Sequence, residues 1–378
     1  MAQTSLAIPF EWIEKKLTVF FNHRFWRWRI LALALTVSTG TLLVFNSVLV
    51  TRGFKSLYRE MRSPGTEAGL FWDDIIKQGQ DPFTPKDYKA GTHEANKTFR
   101  LTLPLLSHTL RLNVASLYLL HVLVGLVFLW FTTKIIQDIL QNHVLTFYFM
   151  TGFTAIYAGS HFYLNWLGHA DAFPFCFMLL SFYFRQPLLV FLFSQLGFWC
   201  DERALLNSSY IGLWYLWPLV DEWLEKRQIA AKKVPATVVV LLVSVMVYIA
   251  LRQWLTTKYG LKVGHDNALS AQSLAWSLSI IGDKFTRGLE GFWLLIFAGL
   301  TAMILRKDTL KLLLLGGCLA VTWIVALMVA DGTRALSYGF VGFFILLAYL
   351  KDHVPVHQIR LLLIVSALIS LMLPISFP

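Results

Sequence analysis

From residue 29 almost to its end, the chain is a succession of apolar runs separated by polar connections. Most runs approach the roughly 20 residues that a helix needs to cross the hydrocarbon core of a bilayer. A water-soluble protein of 378 residues needs far more charge than the 15% found here to cover its surface, and 56% of this chain is hydrophobic. The pattern predicts an integral membrane protein folded as one compact all-α bundle rather than as separate domains. Spans are expected near 29–50, 113–132, 145–163, 173–184, 187–200, 208–221, 234–251, 289–305, 311–329, 336–350 and 360–376, about eleven in all.

Residues 1–28 are polar, aromatic and basic, with Lys15, Lys16, Arg24 and Arg27 among them. The apolar run that follows is longer than a signal-peptide core and has no clear small-residue cleavage site, so it is read as a retained first span. The mixture of Phe, Trp and Lys from Phe10 to Trp28 suits a helix lying on the cytoplasmic interface. Residues 29–376 then form the transmembrane domain, with two long outer loops at 51–112 and 252–288.

Placing the basic N-terminus inside orients every later span by alternation. The cytoplasmic connections then hold Lys134; Arg185; Lys226, Arg227, Lys232 and Lys233; Arg306, Lys307 and Lys311; Lys351 and Arg360. The short outer connections keep Arg203 and Arg334 as their basic residues. This is the positive-inside distribution. It explains the net charge of +11 without a nucleic-acid partner. It requires residues 173–200 to form two short helices broken at Arg185-Gln186-Pro187, because a charge in mid-membrane is costly and proline disfavours helical geometry before it. Cys176, Cys200 and Cys318 lie far apart in or beside apolar segments, as packing residues do.

The first outer loop is expected to carry two interfacial helices, 54–62 and 68–78, divided by the turn Ser63-Pro64-Gly65, with a second turn at Gln80-Asp81-Pro82-Phe83-Thr84-Pro85. The later loop includes an amphipathic stretch from Ala268 to Ile281.

Polar clusters mark the outer ends of several spans. They are Trp72-Asp73-Asp74, Asp81, and His93-Glu94-Ala95-Asn96-Lys97 ahead of Arg100; then His161 with Gly168-His169-Ala170-Asp171; then Asp201-Glu202-Arg203, Lys262 to Asn267, and Asp331-Gly332-Thr333-Arg334. Any one of them has an ordinary explanation as an interfacial anchor, and Asp201 or Asp331 as a helix N-cap. Their mixed sign in very short turns is harder to explain that way, and points to one shared cavity. Arg203 and Arg334 offer forked donors for phosphate oxygens. Asp171 is a candidate catalytic carboxylate, able to take a proton from a hydroxyl. His169, Asp201, Glu202, His265, Asp266 and Asp331 complete the candidate substrate-binding set. His169, Asp171, His265 and Asp266 either hold a divalent cation such as Mg or Mn or bind phosphate and sugar hydroxyls without one; no zinc-type spacing is present. Trp72, Trp166 and the aromatics of Ser160-His161-Phe162-Tyr163 suit either sugar stacking or an interfacial belt. A substrate with an apolar tail, a phosphate and a sugar fits these groups.

In architecture the chain resembles the polytopic glycosyltransferases of the GT-C fold class, which use polyprenyl-phosphate-linked sugars. The resemblance rests on a large outer loop directly after the first span with Trp72-Asp73-Asp74 in an interfacial helix, on about ten further spans with short connections, and on polar groups gathered on the outer face. It covers most of the chain. It implies sugar transfer from a lipid-phosphate-linked donor to a glycan or lipid acceptor at the non-cytoplasmic face, in the inner membrane of a bacterium. It also implies an essential acid in the first loop, at Asp73 or Asp74, with Glu60 and Asp81 as the other positions. The competing classes are a flippase or transporter of a lipid-linked saccharide and a polysaccharide polymerase or ligase. Apart from Arg185, His121 is the clear ionisable residue within a span and no repeat is visible, which weighs against ion-coupled transport. Polymerases and ligases typically carry their largest outer loop late, whereas here the larger one comes first.

Overall fold

The computed structural model describes residues 7–85, 97–226, 234–261, 275, 278–329 and 331–373. His93, Glu94, Lys262, His265, Asp266, Arg227, Lys232, Lys233 and most of the 268–281 stretch lie outside the described residues. Among the described residues the fold is all-α, with seventeen helices and no strand.

The first is α1 (Ala7–Phe21), followed by α2 (Trp26–Arg62), a single helix bent where Asn46 leaves helical geometry. The segment 54–62, expected as an interfacial helix, lies in the part of α2 beyond that kink, which ends at Ser63, ahead of the proline. A short helix α3 (Trp72–Gln80) and α4 (Thr102–Thr109) lead into α5 (Val114–Leu140). That helix starts on a capping box in which Asn113 and Ser116 satisfy each other's backbone N–H groups. It stops where Gln141 turns left-handed, and Asn142 caps the next helix at once.

The expected span 145–163 is two helices, α6 (His143–Phe153) and α7 (Tyr157–Leu164). Thr151 and Thr154 donate back to the Phe147 and Met150 carbonyls at 2.9 Å each, a pattern that bends helices. α8 (Ala172–Tyr183) and α9 (Pro187–Phe198) are separate helices: Phe184 and Gln186 are extended, and Pro187 starts the second at its first position. The rest follow as α10 (Ala204–Lys226), α11 (Ala236–Tyr259), α12 (Ile281–Leu289), α13 (Phe292–Leu305), α14 (Thr309–Met328), α15 (Gly332–Ser337), α16 (Val341–His353) and α17 (Val356–Met372).

Among the described residues four helices, α2, α5, α11 and α14, are long and apolar enough to cross a membrane, and α12 with α13 makes a fifth if that bent pair counts as one span. α8, α9 and α17 are apolar but shorter. Within the four long helices only 22–33% of the apolar window is buried. Val44, Val48, Leu119, Leu123, Val239, Leu242, Met246, Leu313 and Ile324 all face outward. Apolar surface on that scale does not face water in a soluble monomer, and it marks the chain as a membrane protein. Inside, α8 packs between α5 and α9, and α6 packs against α2 and α17. A core of Phe128, Phe153, Phe175 and Phe340 sits among them.

The connections sort to the two ends of the bundle. Asp138, Arg185, Lys351 and Asp352 surround one crevice, and Arg185, Asp221, Lys311, Asp352 and His353 surround its neighbour. Arg100, Asp171, Asp201, Arg203, Asp331 and Arg334 meet elsewhere, with Asp171, Asp201 and Arg203 at the opposite ends of α8, α9 and α10.

Candidate functional site

The convergence begins with charge pairing. Arg334, in the first turns of α15, donates to Asp171 through two nitrogens, at 2.8 and 2.7 Å, and to Asp331 at 2.8 Å. The Tyr157 hydroxyl donates to the same Asp171 carboxylate at 2.5 Å. Arg203 forks onto Asp201 at 2.8 and 2.6 Å. Arg100 forks onto Glu202 at 3.2 and 3.0 Å and lies 3.3 Å from Asp201. Asp201 stands 3.7 Å from Arg334, which joins the pairs into one network of three guanidiniums and four carboxylates. Most of it is buried, with Asp171, Asp201, Arg203 and Arg334 all 4% exposed or less. Charges so far from water persist only when paired and hydrogen-bonded.

This pairing decides what each member can do. Burial alone pushes the Asp171 carboxyl up, but the Arg334 guanidinium against it wins and holds it well below the usual carboxylate range. Asp201 is likewise raised by burial and held down by Arg100 and Arg203. Asp171 stays ionised with its oxygens occupied, which suits a positioning group better than a proton acceptor. Arg203 and Arg334 are committed to carboxylates rather than presented as a phosphate clamp. Arg203 keeps one buried nitrogen, Nη1, without a hydrogen-bond partner among the described residues.

Above this network the first loop folds in. Phe71 donates its N–H to the Leu167 carbonyl at 2.7 Å, and the Trp72 indole, fully buried, donates to the Trp166 carbonyl at 2.8 Å. Gly168 makes the approach possible: its φ is +93°, and a Cβ there would stand 2.8 Å from the Trp72 nitrogen. At the far end of α3, a Cβ on Gly79 would stand 2.3 Å from the Pro104 carbonyl oxygen of α4. Gln78 donates to the Lys97 and Thr98 carbonyls at 3.1 and 3.2 Å, so α3 also holds the segment that delivers Arg100.

The first-loop acids separate by role. Glu60 is fully buried and accepts the Gly65 and Glu67 N–H groups at 2.8 and 3.3 Å, pinning the turn after α2. Asp73 is buried and pairs with Lys77 at 2.5 Å. Asp81 accepts from Thr84 at 2.5 Å in its own turn. Asp74 is exposed and lines a cavity of about 280 Å³ with Phe71, Gln78, Lys97, Arg100, His169 and Cys200. That volume is near the lower end of the ~300–1,000 Å³ typical of small-molecule sites, enough for a headgroup rather than a whole lipid. Lys97 lies 3.6 Å over the Phe71 ring, and the Phe71 and His169 rings are 5.3 Å apart. Burial and the charge of Arg334 lower the His169 pKa, so the imidazole is neutral at pH 7.

The structure thus brings Asp171, Asp201, Glu202, Arg203, Asp331 and Arg334 into one network, and puts Asp74 and His169 on the adjoining cavity. Asp73 turns away. Lys97 and Arg100, which the sequence marks as part of an outer polar cluster without a role of their own, also line the cavity. Tyr157 looks like one more core aromatic until Asp171 is seen beside it. Among the described residues no group of three or more His, Cys, Asp or Glu side chains is placed to hold a metal ion. The arginines occupy the oxygens of Asp171, Asp201 and Asp331, and this donor set does not fit a divalent cation. Comparison with protein-family models, with curated proteins and with solved structures finds no match.

Proposed function

We propose that the protein is a membrane glycosyltransferase of GT-C-like architecture, with about eleven spans. In this reading it moves a sugar from a polyprenyl-phosphate-linked donor to an acceptor hydroxyl at the non-cytoplasmic face of a bacterial inner membrane. The observation that carries the reading is that a carboxylate, Asp74, shares one headgroup-sized cavity with two cations, Lys97 and Arg100, and with neutral His169. A phosphate needs a cation and an acceptor hydroxyl needs the carboxylate.

The chemistry follows from that arrangement. The bond between the anomeric carbon and the phosphate oxygen breaks, and the electron pair leaves with the phosphate. The acceptor oxygen bonds to the same carbon, and its proton passes to Asp74. Lys97 stabilises the charge developing on the departing phosphate, while Arg100, forked onto Glu202, lines the cavity as a positioning group. The buried network beneath holds Arg100 in place. The sugar lies against Phe71.

The test is transfer of a labelled sugar from polyprenyl-phosphate-linked donors by the purified protein in liposomes. Asp74→Asn is expected to lower the rate by about 10²–10⁴-fold, the usual range for a positioned acid or base. Unaltered transfer in that variant, or no transfer by the wild type from any donor of this class, would overturn the reading.

A further inference from the structure

Glu290 belongs neither to the network nor to the cavity. It occupies the break between α12 and α13, which meet at 89°. Its backbone there has φ 48° and ψ −123°, a left-handed conformation that residues with a Cβ rarely adopt. Such a conformation persists only where the surroundings impose it. They do so from two sides. Gly291 packs so closely on α17 that a Cβ would stand 2.0 Å from the Ser366 carbonyl oxygen, and its N–H donates to Ser370 Oγ at 3.2 Å. Phe292 is wedged against Phe149 and Phe153 of α6 and Phe343 of α16.

The bend carries the carboxyl into the apolar interior. Glu290 is 5% exposed, and neither carboxyl oxygen has a hydrogen-bond partner among the described residues. The cations of α12 are directed elsewhere: Lys284 donates to the Ala326 and Val329 carbonyls, and Arg287 pairs with Asp283. Across the bundle, the Tyr163 hydroxyl of α7 donates to the Thr154 carbonyl. An isolated carboxylate in such a place carries a very large solvation penalty, and proteins relieve it by keeping the group neutral.

We propose that Glu290 is a membrane-embedded proton-binding site, a carboxylic acid that keeps its proton at neutral pH at the pivot between α12 and α13. Release of the proton leaves a bare charge in the core, so release is linked to opening of the bend toward water. The inference is independent of the glycosyltransferase reading.

Dicyclohexylcarbodiimide, a lipid-soluble reagent for protonated carboxyls, tests it on the full chain in liposomes. The acid O–H adds across a C=N bond of the reagent: the oxygen bonds to carbon and the proton goes to nitrogen. The adduct rearranges to a stable acylurea, so the peptide gains one whole reagent molecule. Mass spectrometry is expected to find that gain at Glu290 at mildly acidic to neutral pH. Labelling should fall by about tenfold per pH unit once the group titrates. A water-soluble carbodiimide is expected to leave Glu290 unmodified.

Glu290→Gln is a neutral mimic of the protonated acid. It is expected to melt at or above the wild type, with a margin that widens as pH rises above about 4.3, where the unfolded carboxyl ionises and the folded one does not. An unlabelled Glu290 at low pH, equal labelling by the water-soluble reagent, or a less stable Glu290→Gln variant at neutral pH would each overturn the proposal.

Discussion

At the residue scale, the arginine–carboxylate network behaves as a set of mutual obligations. Removing one member leaves its partner charged and buried, which costs about 3–5 kcal/mol. Asp171→Ala is therefore expected to destabilise the protein by that order in detergent melting, because Arg334 loses both short hydrogen bonds at once. The double variant Asp171→Leu/Arg334→Leu should recover part of the loss, since it removes that pair together but leaves Asp331 without its arginine. His169 gives a second prediction. Its folded pKa is lowered, chiefly by burial, so its neutral form stabilises the fold fully above about pH 6.5. That contribution is lost as pH falls below this value, where the unfolded chain binds a proton that the folded chain refuses. Wild-type stability should decline through that window, and His169→Asn should flatten the decline. Arginines beside acids are visible in Asp201-Glu202-Arg203 and Asp331-Gly332-Thr333-Arg334. Which acid each arginine takes is not, because Arg334 reaches Asp171, 163 residues away, more fully than its neighbour Asp331.

At the scale of elements, α3 decides the site. The tryptophan and two acids of its first turn are legible as an interfacial helix start, where acidic side chains favour the free N–H groups. Whether Asp73 or Asp74 faces the cavity depends on how the helix is rotated. That rotation is set by the Trp72 indole on the Trp166 carbonyl and by the Gly168 passage beneath it. Gly168→Ala combines a steric clash with an unfavourable backbone, worth about 1–3 kcal/mol. It is expected to loosen this docking. Hydrogen exchange should rise in residues 72–80 while α5 and α8 stay protected, and uniform exchange throughout would mean that α3 is held in some other way.

At the scale of the molecule, the paired connections imply one orientation. Single cysteines introduced at Gln186 and Lys351 are expected to react with an impermeant thiol reagent from the N-terminal side of the membrane. Cysteines at Lys77 and Thr109 should react from the opposite side. Labelling of Gln186→Cys and Lys77→Cys from the same side would undo the alternation and the eleven-span reading together.

What the amino-acid sequence determines by itself is the membrane class, the helical architecture and the split at Arg185-Gln186-Pro187, because hydropathy, proline geometry and the cost of a mid-membrane charge act locally. It also limits which polar groups compete for a site. Only the tertiary structure joins α6 to α7 at a bend, runs α2 on to Arg62, and selects Asp74 over Asp73. It also turns Arg203 and Arg334 toward carboxylates and buries Glu290 at a strained corner. Those outcomes depend on which helix ends meet across a hundred or more residues, and on how each helix is rotated about its axis. Packing of apolar surfaces sets both, and no stretch of the chain read alone records them.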